Sequence, residues 1–442
     1  MSSNHKNILI KNGHIIDPGQ GIDAAGDLMI SDGRISPAGQ GIIPDASHFI
    51  IVDASGMIVC PGFIDLHCHL RQPGFEEKET IATGTRAAAK GGFTTVCCMP
   101  NTMPPLDNID TINSVKNIAA KEGAIRVLPV GCITEGRKGL KPVNFIELAS
   151  AGVIGFSDDG SPVMDDGIMK TALQGSLKTG LPVIDHCENT SLTAGWDVND
   201  GELSLKSDLR PMPADSESSM IERDIQLNRD IGGRLHIAHV SSAKSVAIIR
   251  QAKIMDNRIT AEATPNHLTL TEAETTGLNT NAKVNPPLRT AIDIDALITG
   301  LNDDTIDIIA TDHAPHTRAD KDRLFAQAAF GISSFETALG SLMSLVHDGK
   351  TSLPTVINKI TAAPANIIGD KFGRLGTLAA GSPADVVIFD PDFTWIVDTD
   401  NFVSRGKNTP LAGKKLKGRV MATIYGGNIV YQDDSFKNRL KG

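Results

Sequence analysis

The residues of this chain best suited to chemistry are histidines and aspartates in five places. They are His67-Cys68-His69, Asp158-Asp159, His186, His239 and Asp312-His313. Each group follows a short apolar, β-forming run, so each is read as the C-terminal end of a strand. Successive side chains on a strand point to opposite faces. His67 and His69 therefore point the same way and can bind one ion, while Cys68 points into packing. A His-x-His pair alone is weak evidence, and a lone His186 or His239 is more often a satisfied core histidine. Imidazole and carboxylate brought by five strand ends to one rim instead imply a metal centre. Nitrogen and oxygen donors without thiolate suit Zn²⁺, with Mn²⁺ or Co²⁺ as substitutes. Such a donor set exceeds what one catalytic zinc uses, which predicts two ions joined by a bridging carboxylate or hydroxide.

Positioning these groups requires strands that end on one side. Strands are expected over 58–66, 93–99, 125–132, 153–157, 181–186, 235–240, 258–263 and 306–311, with helical patterns between them, as at 79–92 and 243–253. Helix 333–348 and segment 353–369 follow the last strand. Repeated strand–helix alternation predicts an α/β fold, a (β/α)8 TIM-type barrel whose chemistry lies at the C-terminal rim of its strands. An open doubly wound sheet is the competing fold, but no loop carries its G-x-G-x-x-G phosphate motif. Residues 7–59 and 376–432 read as short strands; the first stretch carries Asn-Gly, Asp-Gly and Ser-Gly pairs that favour hairpins. Together the two stretches predict a small β-sandwich domain built from both chain termini; two unrelated β appendages are the alternative. The expected division is 1–59 for the N-terminal part of the β domain, 60–369 for the barrel and 370–442 for the C-terminal part.

Composition narrows the function classes. The 442 residues have room for a barrel and a smaller domain. Aromatics are only 4% against 40% hydrophobic residues, so the core must be aliphatic and Ala-packed. A net charge of −10 repels phosphate backbones and argues against nucleic acid. No apolar run reaches membrane-spanning length. The N-terminus MSSNHKNILIKNGHIID lacks the apolar stretch and cleavage site of a signal peptide. Six cysteines without a Cys-x-x-Cys fit free thiols in a reduced compartment. The expectation is a cytoplasmic protein acting on a small molecule, with neither nucleic acid nor membrane as partner.

The motifs then bear a resemblance. PGFIDLHCHLRQPGFEEKETIATGTRAAAKGGFTTVCCMPNT at 61–102 resembles the amidohydrolase superfamily, and within it the dihydroorotases of bacterial class I. GFSDDG at 155–160, DHCEN at 185–189, HIAHVSS at 236–242, KVNPPLR at 283–289, IATDHAPH at 309–316, AFGISSFETA at 329–338 and ADVVIFD at 384–390 extend it over nearly the whole chain. The resemblance implies that His67, His69 and Asp312 hold one zinc, and His186 and His239 the other. Asp159, chosen over Asp158 by family spacing, would take the bridging place that many superfamily members give to a carbamylated lysine. No lysine lies between Lys141 and Lys170 to fill it.

The resemblance also implies that Arg71, Asn101, Asn285 and His316 contact a carboxylate-bearing cyclic amide, with backbone of Phe330 and Gly331 against its edge. A guanidinium fork suits that carboxylate in a way that lysine cannot copy. The other readings are a surface ion pair of Arg71 with Glu76 or Glu77, and a plain loop histidine at 316. One departure is Gln72, where the family often has glutamate. The activity implied is reversible, zinc-dependent hydrolysis of L-dihydroorotate to N-carbamoyl-L-aspartate in pyrimidine (UMP) biosynthesis, with Asp312 as the catalytic proton carrier. Other cyclic amidohydrolases, of hydantoinase or allantoinase type, are the alternative activity. A non-catalytic scaffold subunit of aspartate carbamoyltransferase is a third reading, against which the full ligand set counts. A homo-oligomer, and association with that transferase, are the implied assemblies.

Overall fold

A computed structural model describes residues 7–36, 49–193, 195–256 and 258–441. Residues 1–6, the start of the segment read for a leader, and His48 lie outside the described residues.

The middle of the chain alternates short parallel strands with helices, as the apolar runs predict. Phe63–Cys68, Phe93–Cys98 and Arg126–Pro129 form one parallel ladder. Val183–Asp185, Leu235–Ile237, Ile259–Ala263 and Ile308–Ile309 form a second. Single-residue parallel bridges link the two: Gly131 with Phe156, Phe156 with Val183, and Cys68 with His313. The strand expected over 153–157 survives only as the bridges of Phe156. Its backbone is nonetheless bonded on both sides, from Ser157 N to Gly131 O at 2.8 Å and from Ile184 N to Phe156 O at 2.8 Å. Helices follow the strands, after a long loop at 69–80 and a short one at 238–242. Thr80 caps Ile81–Lys90, and Ser242 caps Ala243–Met255, each accepting a backbone N–H of the first turn. Small side chains let the helices sit close, and Ala87, Ala88 and Ala89 are fully buried.

The strand expected over 58–66 is two strands, Ile58–Pro61 and Phe63–Cys68. Gly62 separates them, and a Cβ there would come within 2.1 Å of Thr94 Oγ1. Ile58–Pro61 pairs with His14–Ile15 and with Val386–Phe389, not with the parallel ladder. The division expected after residue 59 therefore cuts a strand.

Among the described residues, strands from both ends of the chain pair into one connected nine-stranded sheet. Asn7–Asp17 lies between Ile22–Ser31 on one edge and, on the other, Phe49–Asp53 followed by Ile58–Pro61. Val386–Ile396, Lys415–Tyr425 and Asn428–Gln432 extend it. Ile8, Ile30, Val59, Val386 and Ile424 are buried in one cluster. Of the expected hairpins, Asp32-Gly33 is one: both residues have positive φ and join Ser31 to Arg34. Asn12-Gly13 instead forms a bulge within Asn7–Asp17, where the register shifts between Ile10 and Gly13. Ser55-Gly56 is not a hairpin, because the strands on both sides of it run parallel to Asn7–Asp17.

All six cysteines are free and buried. Among the described residues, no helix is long and apolar enough to cross a membrane.

Candidate metal centre

The strand ends converge. His67 is the penultimate residue of Phe63–Cys68 and His69 follows the strand. His186 follows Val183–Asp185, His239 stands two residues past Leu235–Ile237, and Asp312 stands three past Ile308–Ile309. All six expected ligands meet there. Asp159 Oδ1 lies 3.3 Å from His67 Nε2, 3.4 Å from His186 Nδ1 and 3.6 Å from His239 Nε2, while its Oδ2 lies 3.6 Å from His69 Nε2. Asp312 Oδ1 lies 2.9 Å from His69 Nε2 and 3.7 Å from His67 Nε2. Two triads have ligand atoms close enough to share an ion: His67, His69 and Asp312, and His67, Asp159 and His239. His186 joins the second through Asp159 and through His239 Nε2, 2.8 Å away.

The choice between the two aspartates is legible in their hydrogen bonds. Asp158 turns away and accepts the backbone N–H groups of Ile133 and Thr134 and the Thr134 hydroxyl. Asp159 faces four imidazoles. Cys68 is buried with its thiol on Cys97 O, away from the cluster. His313 also lies apart, its Nδ1 accepting from Ser334 N and its ring stacked on Phe335.

The donor set fits a cation. Three imidazoles have one nitrogen committed to an acceptor behind the site: His67 Nδ1 to Glu262 at 2.7 Å, His69 Nδ1 to Asn101 Oδ1 at 3.0 Å, and His186 Nε2 to Glu188 at 3.3 Å. With those tautomers assigned from the network, each remaining nitrogen turns a lone pair toward carboxylate oxygen. Two electron-rich atoms face to face need positive charge between them. His67 Nε2 is buried without a hydrogen-bond partner. Without a metal, protons supply the charge. Burial lowers the His186 pKa, but Asp159 and Glu188 outweigh it and push it up to about 10. Burial also works against a charged His67, yet Asp159 and Glu262 hold it well above the usual range. Burial raises the Asp159 pKa, while His67, His186 and His239 together hold it well below.

A cavity of about 260 Å³ opens over this cluster. Arg71, Asn101, Asn285, His316, Phe330 and Gly331 line it, together with His69, Asp159, His186, His239 and Asp312. Arg71 does not pair with Glu76 or Glu77. Its Nε donates to Pro315 O at 3.2 Å and its Nη2 lies 3.3 Å from His316 Nε2. Among the described residues no carboxylate lies within ion-pair distance of it. Asn101 is already engaged at both ends, accepting from His69 and donating to Asp159 at 3.3 Å. Asn285 donates to Glu188 at 2.9 Å, while its Oδ1 is buried without a partner. His316 donates to Phe330 O at 2.7 Å. Burial and the cations Arg71, Lys321 and Lys78 push its pKa down to about 2, so it is neutral. Gln72 does the work of an acceptor without charge: its Oε1 takes the Ile81 N–H at 2.9 Å, at the start of Ile81–Lys90.

Three residues at the site hold left-handed backbone without being glycine: Arg71 (φ 62°), His239 (φ 30°) and Asp312 (φ 43°). Such conformations persist where the surroundings over-determine them. For Asp312 the surroundings are Asp65, which accepts both the N–H and the hydroxyl of Thr311, at 2.8 and 2.6 Å. Asp65, Glu188 and Glu262 are all buried and none was singled out from the sequence. The only signal for them was position, each lying within five residues of a ligand or on the strand next to one. Trp196 was also missed. Its Nε1 donates to Glu188 at 3.0 Å and its ring packs against Phe330, centroids 4.6 Å apart.

Comparison with known proteins finds relatives over nearly the whole chain. The family described as Dihydro-orotase-like matches residues 56–245. The chain is 47% identical over 428 residues to a dihydroorotase of Thermoanaerobacter sp. (strain X514), covering 97% of this chain and 98% of that one. It is 45% identical over 427 residues to a dihydroorotase of Aquifex aeolicus (strain VF5), covering 96% and 99%. Among solved structures it is similar to the L-hydantoinase (dihydropyrimidinase) of Arthrobacter aurescens, with a TM-score of 0.85, 26% identity and 96% of each chain covered. The dihydropyrimidinase of Brevibacillus agri NCHU1002 shares the fold, with a TM-score of 0.82 at 22% identity over 96% of this chain and 95% of that one.

Proposed function

The chain belongs to the dihydroorotase family, and from that premise we propose that it catalyses the reversible hydrolysis of L-dihydroorotate to N-carbamoyl-L-aspartate in pyrimidine biosynthesis. The observation that carries the reading is Arg71, a half-buried guanidinium without a carboxylate partner among the described residues, facing the cavity over the histidine–aspartate cluster. A hydantoin ring lacks the carboxylate that such a residue would take up. Two Zn²⁺ ions would be held there by His67, His69, Asp159, His186, His239 and Asp312. Ions held there supply Lewis-acid charge that acidifies water and polarises an amide carbonyl.

The remaining roles fall to the chain's own groups. Arg71, held through its Nε, turns its guanidinium to the substrate carboxylate. Asn285 offers its unpartnered Oδ1 to a ring N–H. His316 and the backbone of Phe330 and Gly331 set the far wall. Burial raises the Asp312 pKa, but contact with His69 and the charge of His67 leave it below the usual value, so it enters as a carboxylate. It takes the proton of the attacking water and passes it to the departing ring nitrogen, and in the reverse direction it returns it. Asn101 supports this by holding His69 with Nε2 toward Asp312.

The architecture assigned to this function is a (β/α)8 barrel over about residues 60–369, supported by the two parallel ladders and their linking bridges. A β-sandwich from 1–59 and 370–442 is supported by the shared apolar cluster of the terminal strands. The test is metal content and dihydroorotate hydrolysis measured on the same sample, before and after chelation and with zinc returned. Turnover that survives complete metal removal, or hydantoin hydrolysed in preference to dihydroorotate, would overturn the proposal.

A further inference from the structure

We infer that Glu262, which lies outside the ligand set, is a positioning residue that fixes His67 and His239 for metal binding and so sets zinc affinity. The inference rests on the zinc site proposed above. Glu262 lies on Ile259–Ala263 and is fully buried. Its Oε1 accepts from His67 Nδ1 at 2.7 Å and from the backbone N–H of His239 at 3.2 Å. Its Oε2 accepts from His236 Nε2 at 3.1 Å, and His236 Nδ1 lies 2.8 Å from Thr260 Oγ1. One carboxylate thus meets two ligands from two different strands.

Each contact has a separate consequence. The bond to Nδ1 fixes the His67 tautomer, so its lone pair sits at Nε2, toward Asp159. It also makes that nitrogen a better donor, because an anion behind an imidazole raises its basicity. The bond to the His239 N–H holds backbone in a left-handed conformation that histidine otherwise avoids. His236 meets the other oxygen, so the carboxylate is spent on donors and cannot swing into the site to become a ligand itself. A carboxylate this deeply buried is costly unless it is bonded. Its worth lies in the ligands it orients.

The experiment is the zinc dissociation constant of the metal-stripped full-length protein, measured by competition with a chromophoric chelator, alongside its metal-free Tm. Removing such a partner weakens metal binding by about 10–100-fold. Glu262→Ala should fall in that range. Glu262→Gln keeps the shape and an acceptor but no charge, and should lose about 3–10-fold, a partial rescue. A merely structural residue would lower the metal-free Tm in both variants and leave the zinc affinity of the folded protein at the wild-type value, and that result overturns the inference. If Glu262→Ala does not fold, Glu262→Gln decides, and wild-type affinity in it overturns the inference equally. A wild-type protein that takes up no zinc instead overturns the zinc site itself, and this inference with it.

Discussion

Replacing Lys321 by methionine should remove a pH dependence that the fold builds into the segment beside the cavity. Lys321 ends the short helix Arg318–Lys321 and is 4% exposed. Its Nζ donates to Ala329 O at 2.7 Å and to Lys283 O at 3.1 Å, tying the chain before Phe330 and Gly331 to the segment at Lys283. Burial, then the charge of Lys283, brings its pKa down from 10.5 to about 7, with Asp320 opposing. The folded state therefore binds fewer protons than the unfolded chain between pH 7 and 10.5, and stability rises with pH through that window. At 1.36 kcal/mol per pH unit the full rise is about 5 kcal/mol, of which about 2 kcal/mol falls between pH 7 and 9. Methionine has similar length and no charge, so it lacks the rise. It also loses two hydrogen bonds, each worth about 1 kcal/mol, and leaves two carbonyls short of a donor. The variant should be the less stable protein at pH 9, with the deficit shrinking by about 2 kcal/mol at pH 7. Guanidinium denaturation of both proteins at the two pH values reads this directly, because every other titrating group cancels in the difference. A deficit that does not change with pH, or grows as pH falls, refutes the argument. A few-fold rise in KM for dihydroorotate should accompany it, because Phe330 and Gly331 lose their tether.

Asp312→Asn keeps the shape of the side chain and loses its proton affinity, so kcat should fall by at least about 100-fold with little change in KM. Substantial turnover in a variant that still carries its zinc would contradict the proton-carrier role. Arg71→Lys removes the fork that matches a carboxylate and should raise KM for dihydroorotate about 10-fold, with kcat less affected. An unchanged KM would mean that the carboxylate binds elsewhere. Gly331→Ala meets both a positive φ of 138° and a collision, its Cβ arriving 2.7 Å from Ala314 Cβ and 3.1 Å from His316 Cδ2. The strain should cost about 1–3 kcal/mol, seen as a lowered Tm, and displace His316 from Arg71 so that KM rises. A variant with wild-type Tm and KM would show that the loop absorbs the methyl group.

What could be read from the sequence, and what could not, divides along a physical line. The convergence of these side chains was legible because a strand repeats every two residues and a parallel sheet delivers its strand ends to one side. That geometry makes His67, His69, His186, His239 and Asp312 neighbours without knowledge of any contact. The distinction between Asp158 and Asp159 needed the loop at 133–134, whose N–H groups capture one carboxylate and leave the other to the imidazoles. Nothing local carries that information. Glu262 was illegible for the same reason, since its partner His67 is 195 residues away and a lone glutamate in a strand reads as a solvated face. The strand at 58–66 failed differently. Its apolar run is continuous, but Gly62 meets Thr94 and the chain changes partners there, from the terminal sheet to the parallel ladder. Apolar periodicity reports that a segment is buried, not against what. The Asn12-Gly13 pair makes the same point from the other side. The Asn-Gly sequence and the positive φ of Asn12 suit a hairpin, yet the strand continues because Phe49–Asp53 and Ile58–Pro61 bind successive halves of it, and the bulge is what lets one strand serve both. Local chemistry thus sets which conformations are cheap, and partners distant in sequence decide which of them is used. The strand-end histidines and Asp312 escape that limit because strand polarity is itself a local property, whereas the groups that hold them in place do not.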